Sequence, residues 1–192
     1  MAIAGAIIHT TCLLAALVAA DGGAPSNERA KSSSQRAEVE AALAKGGSPG
    51  ELQRWAATAE GTLMVVAGDR AASETVRGRA LAALAFARTA RARGFLENFV
   101  IEKAPSSAAL DRVLVRRAAV SLGWQGGPRA VEVIAPLLDS ADVEVRLDAA
   151  AALGLTRLGD AEKPLRARLA VETDPGVKRQ IGAALKAVTA AR

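Results

Sequence analysis

Cysteine and histidine are almost absent from this sequence of 192 residues: Cys12 and His9 occur once each, both within the first 20 residues. A single cysteine cannot form a disulfide within the chain. Nucleophilic triads and His/Cys zinc sites need these side chains, so residues 21–192 cannot form the usual versions of either. We therefore predict that the protein is not an enzyme and has no catalytic, cofactor-binding or metal site.

Aromatic residues are also scarce. Phe, Trp and Tyr make up 3% of the chain and tyrosine is missing, although 51% of the residues are hydrophobic. The apolar residues are mostly Ala, Leu and Val. Ala and Leu favour helices, whereas strands favour β-branched and aromatic residues. The composition therefore predicts an all-α fold.

Two short motifs resemble a catalytic or an ion-binding site, but their sequence context does not support either. The segment Gly46–Gly50 has the G-x-S-x-G spacing of a hydrolase nucleophile elbow, which needs a strand before the serine and a histidine elsewhere. Residues 41–45 are helical in character and no histidine follows residue 20, so we interpret the motif as a loop. The acidic residues between Asp139 and Asp148 lack the spacing of an ion-binding loop. Neither motif predicts a site.

The N-terminus predicts export. Residues 2–20 contain no Asp, Glu, Lys or Arg, and the run 13–20 is apolar and ends in small residues. We predict that residues 1–20 are either a signal peptide cleaved before Asp21 or an uncleaved membrane anchor. A lipoprotein signal fits less well because the apolar run mostly follows Cys12. Residues 21–36 have almost no apolar side chain beyond alanine, which predicts a flexible polar linker before a repeat domain over residues 37–192.

Internal repetition is the strongest signal in the sequence. Four segments open with a helix-capping residue and place an aliphatic residue three positions later. The capping residues are Ser73, Asp111, Asp142 and Asp174, and the aliphatic residues are Val76, Leu114, Val145 and Val177. Spacings of 38, 31 and 32 residues between the aliphatic positions indicate stacked supersecondary units.

Each unit has the period of an α-helix. After Val177 the apolar residues fall at offsets 4, 7, 8 and 11, which is one helix face, and the other units repeat most of these positions. Gly123 and Gly154 stand where the first helix of a unit can end, and a second helix follows, with a kink expected at Pro136. Residues 52–66 predict a further helix at the N-terminal end. Since the chain stops soon after Leu185, the last unit is predicted to lack its second helix.

The repeat resembles a known family. The pattern Asp142-x-x-Val145-Arg146-x-x-Ala149-Ala150-x-Ala152-Leu153-Gly154 is similar to the HEAT repeat, in the short form also found in phycobilisome lyases. The resemblance covers residues 73–190 and implies a right-handed α-solenoid of about four HEAT-like helix pairs, the last one incomplete. It also implies a structural ladder between units. The positions concerned are Ser73, Asp111, Asp142, Asp174, Arg77, Arg146 and Lys178.

Arginine is concentrated in one part of the chain. Five arginines between Arg77 and Arg93 have no acid among them, and three more follow between Arg112 and Arg117. We interpret most of them as solvated helix faces, because the net charge is only +5 and stacking aromatics are lacking. The candidates for anion binding are Arg79, Arg88 and Arg93. Both tryptophans, Trp55 and Trp124, are interpreted as core or helix-end packing.

These features favour a non-catalytic protein–protein interaction scaffold, exported to the periplasm or cell envelope, that uses an extended helical surface. The partner is expected to be another protein, and the membrane is involved only if residues 1–20 stay uncleaved. The alternative is an intracellular HEAT-like protein that binds nucleic acid or another polyanion through the arginines. The lyase resemblance points to cofactor-attachment enzymes, but the chain lacks a catalytic constellation, so no cofactor is predicted.

Overall fold

A computed structural model describes residues 26–191, which form ten α-helices, two 3₁₀-helices and no strand. The α-helices are α1 (Ser26–Lys45), α2 (Pro49–Thr58), α3 (Glu60–Gly68), α4 (Glu74–Leu84), α5 (Ala90–Lys103), α6 (Ala109–Gln125), α7 (Ala130–Ile134), α8 (Val143–Thr156), α9 (Glu162–Val171) and α10 (Pro175–Thr189). The predicted export segment, residues 1–20, lies outside the described residues. No helix in the described range has the length and apolar character needed to cross a membrane.

Three of the four proposed capping residues begin helices. The Ser73 hydroxyl accepts a hydrogen bond from the Val76 amide at 3.3 Å. The Asp142 carboxylate accepts from the Glu144 amide at 2.9 Å, and Asp174 caps α10 in the same way. These caps satisfy amides that would otherwise lack a partner at the start of α4, α8 and α10.

Asp111 does not cap a helix, so that prediction is wrong. Helix α6 begins at Ala109, and Asp111 lies within its first turn. Ala109 and Leu110 have high helix propensity, which extends the helix ahead of the expected start. The carboxylate there suits the positive end of the helix dipole instead of capping the chain.

The linker prediction is wrong for the residues from Ser26 onwards, which begin helix α1. Charged and alanine residues are good helix formers even when they are not apolar. Arg36 pairs with Glu40 one turn later in α1. Tertiary contacts also hold the helix, since Arg36 forms an ion pair with Asp69, and Val39 and Leu43 are fully buried. A polar composition therefore did not mean an unfolded segment here.

The helices pack in two rows. Helices α4, α6, α8 and α10 lie side by side in what we call the front row, and α3, α5, α7 and α9 form the back row. Each back-row helix packs against the front-row helix that follows it. This confirms the prediction of an all-α solenoid of about four helix pairs. The sequence analysis took the capped helix as the first of each pair, but in the structure it is the second. Helix α10 therefore completes the last pair instead of opening an incomplete one.

Aliphatic side chains at equivalent offsets fill the space between the rows. Fully buried side chains include Leu81, Leu84, Leu96, Leu114, Leu122, Ile134, Leu153, Leu165 and Ile181. Burying each of these contributes roughly 1.5–3 kcal/mol. The predicted kink at Pro136 takes the form of a change in helix type, because α7 passes into the 3₁₀-helix Ala135–Asp139 at this proline.

Candidate functional site

The most buried polar contact joins the last two helix pairs. Arg146 of α8 donates from Nε and Nη2 to the two carboxylate oxygens of Glu172, at 2.8 and 3.0 Å. Its Nη1 donates to the carbonyl oxygens of Ser140 and Ala141. The Glu172 side chain is fully buried and that of Arg146 is 8% exposed. This bidentate pair fixes the segment between α9 and α10 against α8.

Glu172 was not predicted from the sequence. It also accepts hydrogen bonds from the Thr173 and Asp174 amides at 2.9 Å and from Arg168 Nε at 2.9 Å. The Arg146 guanidinium holds the pKa of Glu172 well below its usual range, with these hydrogen bonds adding to the effect and burial opposing it. The only local signal was its place two residues before the capping Asp174. A buried role could not be read from that signal.

The other positions assigned to the ladder link the repeats in different ways. Arg77 is buried and its Nε donates to the Ala67 carbonyl at the end of α3, at 3.1 Å. Arg112 forms an ion pair with Asp142 at 3.0 Å. Lys178 is exposed and forms no ion pair within residues 26–191. The repeats are therefore connected by individual contacts and not by one uniform ladder.

The acidic stretch around α8 is occupied by arginine. Arg116 of α6 contacts Asp148 at 2.6 Å and Glu144 at 2.9 Å. Together with the Arg112–Asp142 pair, these contacts bridge α6 and α8. Within the described residues no cluster of three acidic side chains is arranged to hold a metal ion. These carboxylates form ion pairs between helices of neighbouring pairs.

The three arginines proposed to bind anions do not form one surface. Arg79 donates to the carbonyl oxygens of Leu43 and Ala44 at 2.6 and 3.0 Å, and so closes the C-terminal end of α1. Arg88 is exposed in the turn after α4, and Arg93 lies in the first turn of α5. The Arg93 side chain lies against Gly127, and Arg79 already has structural partners.

The serine of the G-x-S-x-G motif is a helix cap. Ser48 Oγ accepts from the Glu51 amide, and Glu51 accepts from the Ser48 amide at 2.6 Å, which is a capping box at the start of α2. Nearby, the half-buried Trp55 ring lies under the Arg54 guanidinium, 5.2 Å from the ring centroid. The motif therefore forms the turn between α1 and α2 and the start of α2.

Two large side chains are exposed where front-row helices end. Trp124, in the last turn of α6, is 58% exposed, and Phe86, just after α4, is 42% exposed. Both stand ten residues after the aliphatic position of their repeat, as does the partly exposed Leu155 of α8. Gln125 Nε2 donates to the Leu84 carbonyl at 2.6 Å and so joins the ends of α4 and α6. Of the two alternatives predicted for Trp124, core or helix-end packing, the core is wrong, and the residue lies exposed at a helix end.

Arginine also occupies an unusual backbone position at these helix ends. Arg88 has a φ of 49° and Arg157 a φ of 54°, both in the left-handed region, and each stands twelve residues after the aliphatic position of its repeat. The equivalent residue after α6 is Gly126, with a φ of 63°. Left-handed backbone costs an L-amino acid about 1–2 kcal/mol. Glycine would fit the backbone better, so arginine is held there at a cost in stability.

The cost at Arg157 can be measured. We expect Arg157→Gly to raise the free energy of unfolding by about 0.5–1 kcal/mol, because relief of the left-handed strain exceeds the greater freedom of glycine in the unfolded chain. Urea unfolding of the two proteins gives the difference. As a control, Arg166→Gly within α9 should lower the free energy by about 1 kcal/mol, the usual effect in a helix interior. Equal losses for both variants would contradict the assignment of strain.

A second surface lies on the back row. Ile101 and Pro136 border a cavity of about 250 Å³ between α5 and α7, and Pro136 and Val171 border one of about 470 Å³ between the 3₁₀-helix and α9. Exposed Glu132 and Asp139 accompany arginines along these grooves, so their charge is mixed. The grooves are apolar, and their mixed charge indicates no preference for an acidic or a basic partner.

The C-terminal part of the two rows matches a known family. Residues 107–186, which run from the start of α6 into α10, match the family model of HEAT repeats. Residues 107–186 therefore contain HEAT repeats. Helices α3, α4 and α5 continue the same two rows before the matched segment. HEAT repeats generally mediate protein–protein interaction and are typically non-catalytic. No curated protein has a sequence that matches this chain.

Proposed function

We propose that this protein is a non-catalytic scaffold that binds another protein at the ends of its front-row helices. The exposure of Trp124 carries the proposal. Trp, Tyr and Arg are the residues that most often dominate the energy of protein interfaces. Trp124 is 58% exposed, and the end of its helix is joined to the end of α4, which the exposed Phe86 follows. It is therefore a good anchor for a partner.

The proposal predicts that Trp124 dominates binding. Once a partner has been isolated, Trp124→Ala is expected to weaken its affinity by at least tenfold, or about 1.4 kcal/mol, as measured by calorimetry. The folded state should change little because most of the ring already faces solvent. Val143→Ala is a matched control, since Val143 is an exposed apolar residue at the opposite end of a front-row helix.

Photo-crosslinking in the host cell can identify the partner directly. A photo-crosslinking amino acid placed at Trp124 should capture one main protein, and the same group at Val143 should not. Binding of that protein in purified form is then compared between the wild type and Trp124→Ala. Crosslinks of equal yield at both positions, or unchanged affinity in Trp124→Ala, would show that this end of the row is not the binding surface.

We also propose that the protein acts outside the cytoplasm, in the periplasm or cell envelope. Support comes from the uncharged, apolar run that precedes Asp21. The intact mass of the protein from fractionated cells tests this. A species beginning at or near Asp21 in the exported fraction is expected. A full-length species in the soluble cytoplasm would contradict export and favour the polyanion-binding alternative.

A further inference from the structure

We infer that the partner presents an acidic segment with apolar side chains to a single edge of the solenoid, which we call the basic edge. The basic edge consists of the turns after α4, α6 and α8, residues 85–89, 126–129 and 157–158, together with the exposed Phe86 and Trp124. This inference rests on the proposed function and adds the chemistry of the partner.

Charge is one-sided in these turns. They contain three arginines and neither aspartate nor glutamate. Arg129 is already paired with Glu97 at 3.5 Å and with Glu132 at 3.9 Å. Arg88 and Arg157 are exposed and have no ion-pair partner within residues 26–191. Two positive charges without an ion-pair partner therefore face solvent, each two residues after an apolar side chain, Phe86 or Leu155. They favour a negatively charged partner.

Packing brings the turns together. The Gln125–Leu84 hydrogen bond holds the end of α6 against the end of α4. Gly123 lies so close to Ala152 of α8 that the helix backbones are in contact. The ends of α4, α6 and α8 therefore lie next to one another on one side of the molecule.

The helix dipole alone does not account for these arginines. A cation near a helix C-terminus is favourable, and that effect would also be available from positions with ordinary backbone conformation. Arg88 and Arg157 instead have positive φ angles, and Arg157 is in the left-handed helical conformation that glycine favours at helix ends. Strained residues of this kind are concentrated at functional sites. Their charge is therefore better explained by a partner than by the stability of the helices.

Nearby acids belong to the back row. Glu60 accepts a hydrogen bond from Thr89 at 2.9 Å, and Glu162 accepts from Arg166 at 2.8 Å. Asp160 is exposed ahead of α9. These groups lie at the starts of α3 and α9, and among the described residues the unpaired positive charges of the edge stay at Arg88 and Arg157, in the turns after α4 and α8. A partner segment would cross the row from α4 towards α8.

The spacing of the repeats suits an extended polypeptide. Packed helices lie about 8–10 Å apart, a distance that about three residues of extended chain cover. Phe86, Trp124 and Leu155 each provide one apolar contact per repeat. A segment with an apolar side chain at about every third position and acidic residues between would match both features. Nucleic acid is less suitable, because its affinity comes mainly from several phosphate contacts, and only two arginines of these turns lack an ion-pair partner within residues 26–191.

Selection of random peptides displayed on phage, with the full-length protein as target, tests the inference. We expect enriched peptides to carry a net negative charge and apolar residues about three positions apart. Arg88→Gly/Arg157→Gly removes both charges while providing the residue that the backbone favours, so this variant should remain folded. Selected peptides should bind it at least about tenfold more weakly.

The matched control removes two charges at the other end of the row. Lys178→Ala/Arg179→Ala at the start of α10 should bind the same peptides within about twofold of the wild type. Peptides without acidic bias that still lose affinity in Trp124→Ala would overturn the acidic partner and leave the scaffold proposal standing. Peptides unaffected by Trp124→Ala would overturn both. Tighter binding of an oligodeoxythymidine strand than of any selected peptide would assign the edge to nucleic acid and overturn the inference.

Discussion

Replacing Arg146 with methionine is expected to lower the free energy of unfolding by about 3–5 kcal/mol, which is the usual effect of removing one partner of a buried ion pair. Methionine fills a similar volume but leaves the Glu172 carboxylate buried without its bidentate partner. Urea unfolding followed by far-ultraviolet circular dichroism, which reports the loss of helix, measures the change. The last pair should unfold first, since α9 and α10 meet α8 at this contact.

The control is the arginine one helix earlier in the front row. Arg116 also bridges two helices, through Asp148 and Glu144, but its side chain is 27% exposed and that of Glu144 is 60% exposed. Arg116→Met should cost only about 1 kcal/mol because water screens this pair. Similar losses in Arg116→Met and Arg146→Met would show that burial does not set the strength of the Arg146 pair.

A pH series tests whether the charge of Glu172, and not only its shape, stabilises the folded protein. Folding lowers the pKa of Glu172, so its ionised form contributes stability above the ordinary carboxyl pKa of about 4.3. That contribution is lost as the pH falls from this value through the folded one. The stability difference between wild type and Glu172→Gln should therefore be largest near neutral pH and shrink below about pH 4. A difference that stays constant to pH 3, roughly one unit below that ordinary value, would contradict the assigned role.

Local features of the fold were predictable because they depend on near neighbours in sequence. The caps at Ser73, Asp142 and Asp174 need only the side chain and the next three amides. The helical period in each unit likewise depends on residues within one element. The pairing of helices depends on packing between elements. Because helices alternate along the chain, the same pattern fits pairs that start at α3 or at α4, and the frame could not be decided from periodicity.

The candidate surface was less predictable because it also depends on packing between helices. Sequence shows that Trp124 lies near a helix end, but its exposure depends on which helices pack around α6. The left-handed backbone at Arg88 and Arg157 has no local signal, because glycine and not arginine marks that conformation. The partners of Arg79 are carbonyl oxygens 35 and 36 residues away. These facts follow from tertiary structure.

The second large effect on stability is expected from substitution of the glycines near the ends of front-row helices. Gly123 and Gly154 were interpreted as helix ends, yet α6 continues to Gln125 and α8 to Thr156. A Cβ on Gly123 would overlap the Ala152 carbonyl oxygen and lie 2.9 Å from the Ala152 Cα. Neither backbone atom can move without separating α6 from α8. Gly123→Ala is therefore expected to lower the free energy of unfolding by about 2–3 kcal/mol, the upper part of the range for overpacking.

Two glycines inside other helices provide controls of opposite sign. An added Cβ at Gly94 in α5 or Gly182 in α10 would have no atom within 4 Å apart from the backbone of its own helix. Alanine at either position should raise the free energy of unfolding by about 0.5–1 kcal/mol, because glycine loses more freedom on folding. All three variants make the same chemical change within a helix. A gain in Gly123→Ala would mean that the front row can separate at no cost.

The position of Gly123 within its unit recurs at Gly154 in the next front-row helix. Gly123 and Gly154 both stand nine residues after the aliphatic position of their repeat, and each faces an alanine seven residues after that position in the next unit, Ala152 or Ala184. A Cβ on Gly154 would lie 2.9 Å from the Ala184 Cα. The equivalent position in α10 is the exposed Lys186, and no described helix follows α10 to pack against it. The equivalent residue after α4 is Ala85, so glycine is present at the α6–α8 and α8–α10 contacts and not at the α4–α6 contact. Both glycine contacts involve α8, where Ala152 and Gly154 are two residues apart. The loss in the double variant Gly123→Ala/Gly154→Ala should therefore differ from the sum of the two single losses by at least about 0.5 kcal/mol, because neighbouring sites are coupled.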